Sequence, residues 1–266
     1  MPAVRIAVLM PAFNEEGRLA RTLADLRAHL EEAGPSSASV TVFLVDDGST
    51  PPIDEGAIAP PVTNPGVASR TRVVIARHAV NLGQGAALET ARRLALDPKW
   101  APVDGPFEAF VTMDSDGQHR AADVLALAAA IEAGADVALG DRFAGGSLVP
   151  TSRRVLLTLA RAFERTTTGL ALSDVHNGLR AFGPRAIDRM RIRQNRMAHA
   201  TEITRSISRA SRAFSESPGA DELRVVEVPV SVQYTGESMA KGQRASGAIA
   251  IVVDLFHGFL FGSEPR

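Results

Sequence analysis

The stretch FEAFVTMDSDGQHR, residues 107–120, joins a short apolar run to a cluster of polar side chains. In extended backbone, side chains two residues apart face the same side, so Asp114, Asp116 and Gln118 would face one point if the strand continued that far. Two neighbouring acids repel each other, and oxygen ligands suit Mg²⁺ or Mn²⁺. The alternative is a turn at Asp116 and Gly117, with one acid capping the next helix. The stretch alone leaves both interpretations open.

Further apolar runs resemble this one and alternate with segments of helical periodicity. Short strands that are apolar on both sides and separated by helices are typical of a mostly parallel sheet with helices on both faces. The sequence therefore predicts an α/β fold. The predicted strands are 4–10, 40–45, 72–76, 107–113 and 135–140, and the predicted helices are 15–34, 85–96 and 121–132.

Polar residues follow four of these predicted strands, in PAFNEE (11–16), DDGST (46–50), DSDGQH (114–119) and GDR (140–142). In parallel α/β sheets, ligands bind beyond the carboxyl ends of the strands, so we expect a site where these ends converge. Asp46 and Asp47 suit a ribose diol or a base N–H, because an ionised carboxylate only accepts hydrogen bonds. An ordinary turn is the alternative for this motif.

The segment NLGQGAAL (81–88) contains a Gly-x-Gly pair at the start of a predicted helix. A dinucleotide fingerprint would continue with glycine or alanine at position 88, where this chain has Leu88. The pair is therefore weak support for a nicotinamide or flavin site. The favoured interpretation is that glycine, as at Gly83, lets the backbone pass close to a neighbouring segment.

Composition excludes several classes of function. The 266 residues carry a formal net charge of −1, which argues against a general nucleic-acid binder and a polybasic membrane coat. The chain contains no cysteine, so disulfides, thiolate metal sites and a cysteine nucleophile are excluded. His119, His176 and His199 show no metal-ligand spacing and receive no role.

The alternation weakens after about residue 145, where we predict helices at 152–170 and 200–213 and a strand at 223–234. The segment 51–71, rich in proline and glycine, is interpreted as a surface excursion. We predict no signal peptide and no transmembrane helix. One domain is expected at 1–244, divided into a nucleotide and metal half (1–143) and an acceptor half (144–244).

The apolar tail 245–266 includes Asp254 and His257, so a buried or interfacial helix is favoured over a membrane span. Its functional alternative is peripheral contact with a membrane or with a small membrane partner.

Eight motifs occur in the order found in family 2 glycosyltransferases of the GT-A fold. Within that family, they most resemble the group of polyprenyl-phosphate glycosyltransferases that is similar to dolichyl-phosphate mannose synthase. The resemblance covers about residues 4 to 243. The motifs are VLMPAFNEE, VDDGST, NLGQGAA, MDSDGQH, GDR, DVHNGLRAF, TEI and VEVPVSVQYTGESMAKGQ.

This resemblance implies an inverting sugar transfer from a GDP- or UDP-sugar, with Mg²⁺ or Mn²⁺ on the diphosphate. The enzyme is expected to be cytoplasmic, either free or peripheral at the inner face of the plasma membrane. Leu179 replaces the usual phenylalanine, and the motif around Lys241 is spaced differently. The implied donor-binding residues are Pro11, Phe13, Glu15, Asp46, Asp47, Gly83 and Asp114, and the implied metal ligands are Asp114, Asp116 and Gln118. The implied acceptor and sugar residues are Arg142, Arg153, Arg154, Asp174, Arg180, Glu202 and Lys241.

The acceptor determines which residues matter. A polyprenyl phosphate is already ionised, whereas a sugar hydroxyl in polysaccharide assembly requires a carboxylate base, for which Asp174 and Glu202 are the candidates. A non-catalytic nucleotide-sugar-binding module is the third hypothesis. A nucleotidyltransferase is disfavoured because PAFNEEGR is acidic where that class has a basic, glycine-rich loop.

Overall fold

The computed structural model describes residues 3–33, 38–58, 70–144, 173–174, 177–194, 199–200, 202–207 and 223–233. The strands are β1 (Val4–Ala12), β2 (Ala38–Asp46), β3 (Thr71–Arg77), β4 (Ala109–Thr112), β5 (Val137–Asp141), β6 (Arg180–Phe182) and β7 (Val225–Pro229). The helices are α1 (Glu16–Glu32), α2 (Glu55–Ile58), α3 (Gln84–Leu96), α4 (Ala121–Glu132) and α5 (Pro184–Arg189), with a 3₁₀ turn at Pro98–Trp100.

The strands form one seven-stranded sheet in the order β3-β2-β1-β4-β6-β5-β7. All neighbouring pairs are parallel except those of β6, which runs antiparallel to both β4 and β5. The predicted α/β class and mostly parallel sheet are therefore confirmed. Sequence reasoning missed β6, because this strand has three residues and follows a polar segment rather than an apolar run.

Two apolar layers cover the two faces of the sheet. On one face, α1 buries Leu19, Leu23, Leu26 and Leu30, none of them more than 1% exposed, against the strands and α4. On the other face, α3 and α5 pack through small and branched side chains. The helical spacing of the leucines in α1 thus predicted the buried face of this helix correctly.

Three predicted segments differ from the structure. β4 ends at Thr112 and residues 115–117 turn, with Gly117 at φ +78°, so the expected extended alternation from 114 to 118 is wrong. The predicted strand 223–234 is shorter, because β7 ends at Pro229. The segment 51–71 is also more than a surface excursion, since Ile53 and Ile58 are buried in the core.

Several predictions fall outside the described residues. These include the helix at 152–170, residues 201 and 208–213 of the helix predicted at 200–213, the side chains of Arg153, Arg154 and Lys241, and the tail 245–266. Residues 202–207 are helical. Within the described part of the chain, no helix combines the length and apolar character that a membrane crossing requires.

The buried stripe of α1 can be tested by truncating one leucine. Leu23→Ala removes a side chain that is 0% exposed, so we expect the free energy of unfolding to fall by about 3 kcal/mol. Urea denaturation measures the difference. Asp25→Ala, on the exposed side of the same helix, is the control and should change stability by less than about 0.5 kcal/mol. Equal effects of the two substitutions would contradict the assignment of the core face.

Candidate active site

The carboxyl ends of β1, β2, β3, β4 and β5 lie at one edge of the sheet, because these strands run in the same direction. The polar residues that follow them therefore meet there, as predicted from the strand ends. The antiparallel strand β6 begins at this edge, and it brings in the preceding residues 173–179.

Residues 113–120, which we call the acidic loop, follow β4 at this edge. Asp114 accepts hydrogen bonds on both carboxylate oxygens: Gln84 Nε2 lies 2.8 Å from Oδ1, and His119 Nε2 lies 3.2 Å from Oδ2. Gly178 packs directly on this carboxylate, since a Cβ atom there would lie 2.5 Å from Oδ2. Only glycine at 178 leaves room for Asp114, which gives the glycine of the DVHNGLR motif a physical reason.

Asp116 and Gln118 form a compact turn in the same loop. The Gln118 backbone N–H donates to Asp116 Oδ1 at 3.0 Å, and Gln118 Nε2 donates to Oδ2 at 2.5 Å. The turn at Asp116 and Gly117 is therefore real, but no acid caps the next helix: the N-cap of α4 is Arg120, without a side-chain cap. The turn, and not an extended strand, brings Asp116 and Gln118 together.

The two acids of this loop have opposite pKa shifts. Burial raises the pKa of Asp116, and the negative charges of Asp114 and Glu15 raise it further, against hydrogen bonding from Gln118 and the charge of His119. Burial also disfavours the charged form of Asp114, but its pKa is lowered by the hydrogen bond from His119 and by the charges of His119, His199 and Arg180. A second negative charge in this loop is thus costly unless a cation compensates it.

The two acids after β2 fold the loops around the site. Asp46 Oδ1 accepts from the Ser49 N–H at 2.8 Å, and Oδ2 accepts from the Ile53 N–H at 3.3 Å and lies 3.6 Å from Arg77 Nε. Burial opposes ionisation of Asp46, but the hydrogen bonds from Ser49 and Ile53 and the charge of Arg77 lower its pKa. Asp46 therefore stabilises its own turn.

Asp47 joins the β2 loop to the β3 loop. Its Oδ1 accepts from His78 Nδ1 at 2.7 Å and from the Leu82 N–H at 2.9 Å, and its Oδ2 accepts from the Gly83 N–H at 2.8 Å. His78 Nε2 lies 3.0 Å from Thr90 Oγ1 on α3. The N–H of Gly83 is thus bound by Asp47, and contacts of Gly83, Asp46 and Asp47 with a nucleotide stay predictions.

The loop after β1 completes this side of the site. Pro11 is buried in β1, whereas Phe13 is 45% exposed at the edge. Glu15 accepts a hydrogen bond from Arg18 Nη1 at 2.7 Å, and its negative charge contributes to the raised pKa of Asp116. Asn14 Oδ1 accepts from the Thr50 N–H at 2.9 Å and so connects this loop with that of β2.

Arg142 and Asp174, predicted to act separately, form one buried ion pair. Arg142 Nε lies 2.6 Å from Asp174 Oδ2, and their side chains are 6% and 1% exposed. The same oxygen accepts from the Arg142 N–H at 3.1 Å and from Asn177 Nδ2 at 3.2 Å. Asp174 Oδ1 is buried and has no hydrogen-bond partner among the described residues.

Two acids anchor the segment that leads away from α5. Buried Glu89 on α3 accepts from Arg92 and Arg93 and from the Ile192 N–H at 3.2 Å. Glu202 Oε2 accepts from the N–H groups of Arg193 and Gln194, both at 2.8 Å. The carboxylate of Glu202, a predicted base, is thus hydrogen-bonded to the main chain.

Sequence reasoning brought most of these residues to one edge but missed four that hold them. Asn177 and Gly178 lie between predicted site residues, and Gln84 was considered only as the variable position of a glycine motif. His78 could have been found by the pattern used at the other strand ends, because it is a polar residue directly after β3. The missed residues are His78, Gln84, Asn177 and Gly178.

The sequence of this chain matches the family model described as glycosyl transferase family 2 over residues 7–191. The chain belongs to this family. It is therefore a glycosyltransferase, as the order of its motifs predicted.

Two curated relatives of this glycosyltransferase act on polyprenyl carriers according to their names. A polyprenol monophosphomannose synthase of Mycolicibacterium smegmatis is 30% identical over 192 residues, which are 71% of this chain and, at 65%, just under two thirds of that relative's length. An undecaprenyl-phosphate mannosyltransferase of Micrococcus luteus is 28% identical over 257 residues, or 94% of this chain and 93% of the relative. The predicted likeness to the polyprenyl-phosphate group is thus confirmed.

Solved structures confirm the GT-A fold of this glycosyltransferase. Glucosyl-3-phosphoglycerate synthase from Mycobacterium tuberculosis, in complex with Mn²⁺, UDP and glucosyl-3-phosphoglycerate, superposes with a TM-score of 0.55 at 18% identity. The match covers 95% of this chain and 80% of that chain. A complex of the same enzyme with Mn²⁺, UDP-glucose and phosphoglyceric acid gives a TM-score of 0.54 at 17% identity, over 95% of this chain and 79% of that chain.

The Glu89 network leads to a pH-dependent contribution to stability. Burial alone would raise the pKa of Glu89, but Arg92, Arg93 and the Ile192 N–H lower it from 4.5 to about 2. A carboxyl whose pKa is lowered on folding stabilises the protein above its unfolded pKa, and this contribution is lost as the pH falls from about 4.5 towards 2. It amounts to about 3 kcal/mol.

Glu89→Gln should remove this contribution. We expect the stability difference between wild type and Glu89→Gln to be largest at neutral pH and to shrink below about pH 4.5. Urea denaturation at several pH values measures it. A difference independent of pH between 7 and 3 would contradict this role, and Glu108→Gln, at a half-exposed ion pair with Arg5, is the control.

Proposed function

We propose that this glycosyltransferase moves a sugar, with inversion, from a GDP- or UDP-sugar to a polyprenyl phosphate, and that Mg²⁺ or Mn²⁺ assists at the acidic loop. The observation that carries this proposal is the pair of mutually repelling acids, Asp114 and Asp116, at the carboxyl edge of the sheet. The polar residues that follow β1 and β2 lie at the same edge. The names of two relatives support the acceptor class.

The residues of the acidic loop fit a hard divalent cation. The carboxylates of Asp114 and Asp116 and the amide oxygen of Gln118 would hold it, and a cation would offset the burial and the repulsion by Asp114 that raise the pKa of Asp116. Within the described residues, no group of three His, Asp or Glu side chains is arranged to hold a metal, so the remaining ligands would be water and diphosphate oxygens, as Mg²⁺ prefers. The bound cation would neutralise charge on the departing nucleoside diphosphate.

The environment of the two candidate bases supports a phosphate acceptor. Asp174 is paired with Arg142, and Glu202 accepts two backbone N–H groups. Neither is placed as an unengaged carboxylate, and an acceptor that is already ionised needs no base. Arg142 and Arg180 add positive charge on this side, together with the predicted Arg153, Arg154 and Lys241.

The remaining expectations complete this proposal. Residues 1–143 bind the nucleotide and the cation, and residues 144–244 bind the acceptor. The apolar tail 245–266 contacts the membrane, or a small membrane partner, at the cytoplasmic face where a polyprenyl phosphate would be reached. The nucleotide is contacted by Asp46, Asp47 and Gly83, through the hydrogen-bonding positions that their intramolecular hydrogen bonds do not occupy.

One observation favours a second candidate, transfer to a sugar hydroxyl. Asp174 Oδ1 is buried without a hydrogen-bond partner among the described residues, and such an oxygen can accept a proton from a hydroxyl placed beside it. In this case Asp174→Asn would abolish transfer, whereas with a phosphate acceptor it would act only through the ion pair with Arg142.

A donor screen distinguishes these candidates. Purified protein is incubated with Mn²⁺ and a panel of UDP- and GDP-sugars, with a short polyprenyl phosphate, with free sugars or with neither, and released nucleoside diphosphate is measured. We expect release that requires both the metal and the lipid phosphate. Release with free sugars alone would favour the hydroxyl mechanism, and donor binding without any release would favour the non-catalytic module.

Asp116→Asn tests the acidic loop. Asparagine removes a partly buried charge that Asp114 and Glu15 repel, so the melting temperature should stay the same or rise. Metal-dependent release of nucleoside diphosphate should fall by about 100-fold or more, because electrostatic stabilisation is lost. Asp104→Asn, at an exposed position, is the control and should leave both quantities unchanged. Full activity of Asp116→Asn would refute the metal assignment.

A further inference from the structure

His119 lies within the acidic loop but has no role in the proposed reaction. Its side chain is 5% exposed, and its Nε2 lies 3.2 Å from Asp114 Oδ2. Because an ionised carboxylate only accepts hydrogen bonds, Nε2 must carry the hydrogen and donate it to Asp114. The imidazole is therefore an outer partner of a candidate metal ligand.

The main chain on both sides of His119 fixes the position of its ring. His119 forms an antiparallel bridge with Val232, and the Gln233 N–H donates to the Gln118 carbonyl oxygen at 2.9 Å. One turn later, Asp123 Oδ2 accepts from the Ser231 N–H at 2.9 Å. Residues 230–233, which follow β7, thus hold the end of the acidic loop like a short additional strand.

The position of Asp114 depends on donors outside its own turn. It lies beyond the end of β4, and the charge of Asp116 repels its carboxylate. Gln84 binds Oδ1, but Gln84 lies at the exposed start of α3, whereas His119 binds Oδ2 from a buried and doubly anchored position. His119 is therefore the more rigid of the two contacts that oppose this repulsion.

The other ring nitrogen shows that His119 is not there for packing alone. His119 Nδ1 is buried and has no hydrogen-bond partner among the described residues. Burial of an unsatisfied polar nitrogen destabilises the folded protein, a cost that an apolar side chain of similar size would avoid. The donor at Nε2 is the property of histidine that this position uses.

We propose that His119 is a positioning residue for the metal site: it holds the Asp114 carboxylate in the orientation that binds the divalent cation, and residues 230–233 hold His119. This inference rests on the metal-dependent transfer proposed above. Partners that orient metal ligands commonly change metal affinity by about 10- to 100-fold when they are removed.

Two polar substitutions separate this role from a purely structural one. In His119→Gln the amide nitrogen reaches the position of Nε2 and can still donate to Asp114. In His119→Asn the amide is too short to reach it. The dissociation constant of Mn²⁺ is measured by electron paramagnetic resonance of the free ion, in the presence of UDP or GDP, and the melting temperature is measured in parallel without metal.

We expect His119→Asn to weaken Mn²⁺ binding by about tenfold or more, and His119→Gln to stay within about threefold of wild type. His29→Asn, on the half-exposed side of α1, is the control and should bind like wild type. The inference is overturned if both variants at 119 bind Mn²⁺ like wild type, if both bind it equally weakly, or if only the melting temperature changes.

The outcomes also separate this inference from the proposed function. A wild type that binds no Mn²⁺ would overturn the metal dependence and the role of His119 with it. A wild type that binds Mn²⁺, beside an Asn variant that binds it as well, would overturn only the role of His119. If the Asn variant does not fold, the Gln variant decides: a folded His119→Gln that binds about tenfold more weakly than wild type overturns the inference.

Discussion

The repulsion between Asp114 and Asp116 is the constraint around which this edge of the glycosyltransferase is built. Asp114 and Asp116 lie two positions apart in a partly buried loop, and burial together with the charge of Asp114 raises the pKa of Asp116. Asp114 accepts hydrogen bonds from Gln84 at the start of α3 and from His119 in the same loop, and Gly178, before β6, leaves room for its carboxylate. Three parts of the chain thus surround this one carboxylate.

Other acids of the chain have a different task, which is to shape loops. Asp46, Asp47 and Glu202 each accept backbone N–H groups of residues that lie outside regular helices and strands. An ionised carboxylate that accepts two or three such bonds fixes a loop that has no helix or strand to support it. The acidic character of the strand ends therefore combines the proposed ligand binding at the acidic loop with loop construction around it, and residue type alone does not separate the two.

This distinction explains how far sequence reasoning reached. Strands and helices with strong periodicity were predicted within a few residues, because burial of both sheet faces imposes the pattern on β1, β2 and α1. The convergence of polar strand ends followed from the parallel topology. The partners of each acid did not follow: the ion pair of Arg142 with Asp174 joins residues 32 positions apart, and the bond from Ile192 to Glu89 joins residues 103 positions apart. Such pairings depend on the packing of whole elements, and β6, whose three residues carry no periodicity, is the strand that creates several of them.

The distribution of charge gives a reason for a cation beyond the acidic loop itself. Transfer from a nucleotide-sugar to a phosphate brings two anionic groups together, and their repulsion must be compensated within a few ångströms. Of the basic groups at this edge, Arg142 is paired with Asp174, and Arg77 lies beside Asp46. Both arginines are thus already engaged with acids, whereas a divalent cation bound by Asp114 and Asp116 would keep further coordination positions for phosphate oxygens. The two acids would balance the charge of a divalent cation, and the open coordination positions of the cation would then bind diphosphate oxygens directly.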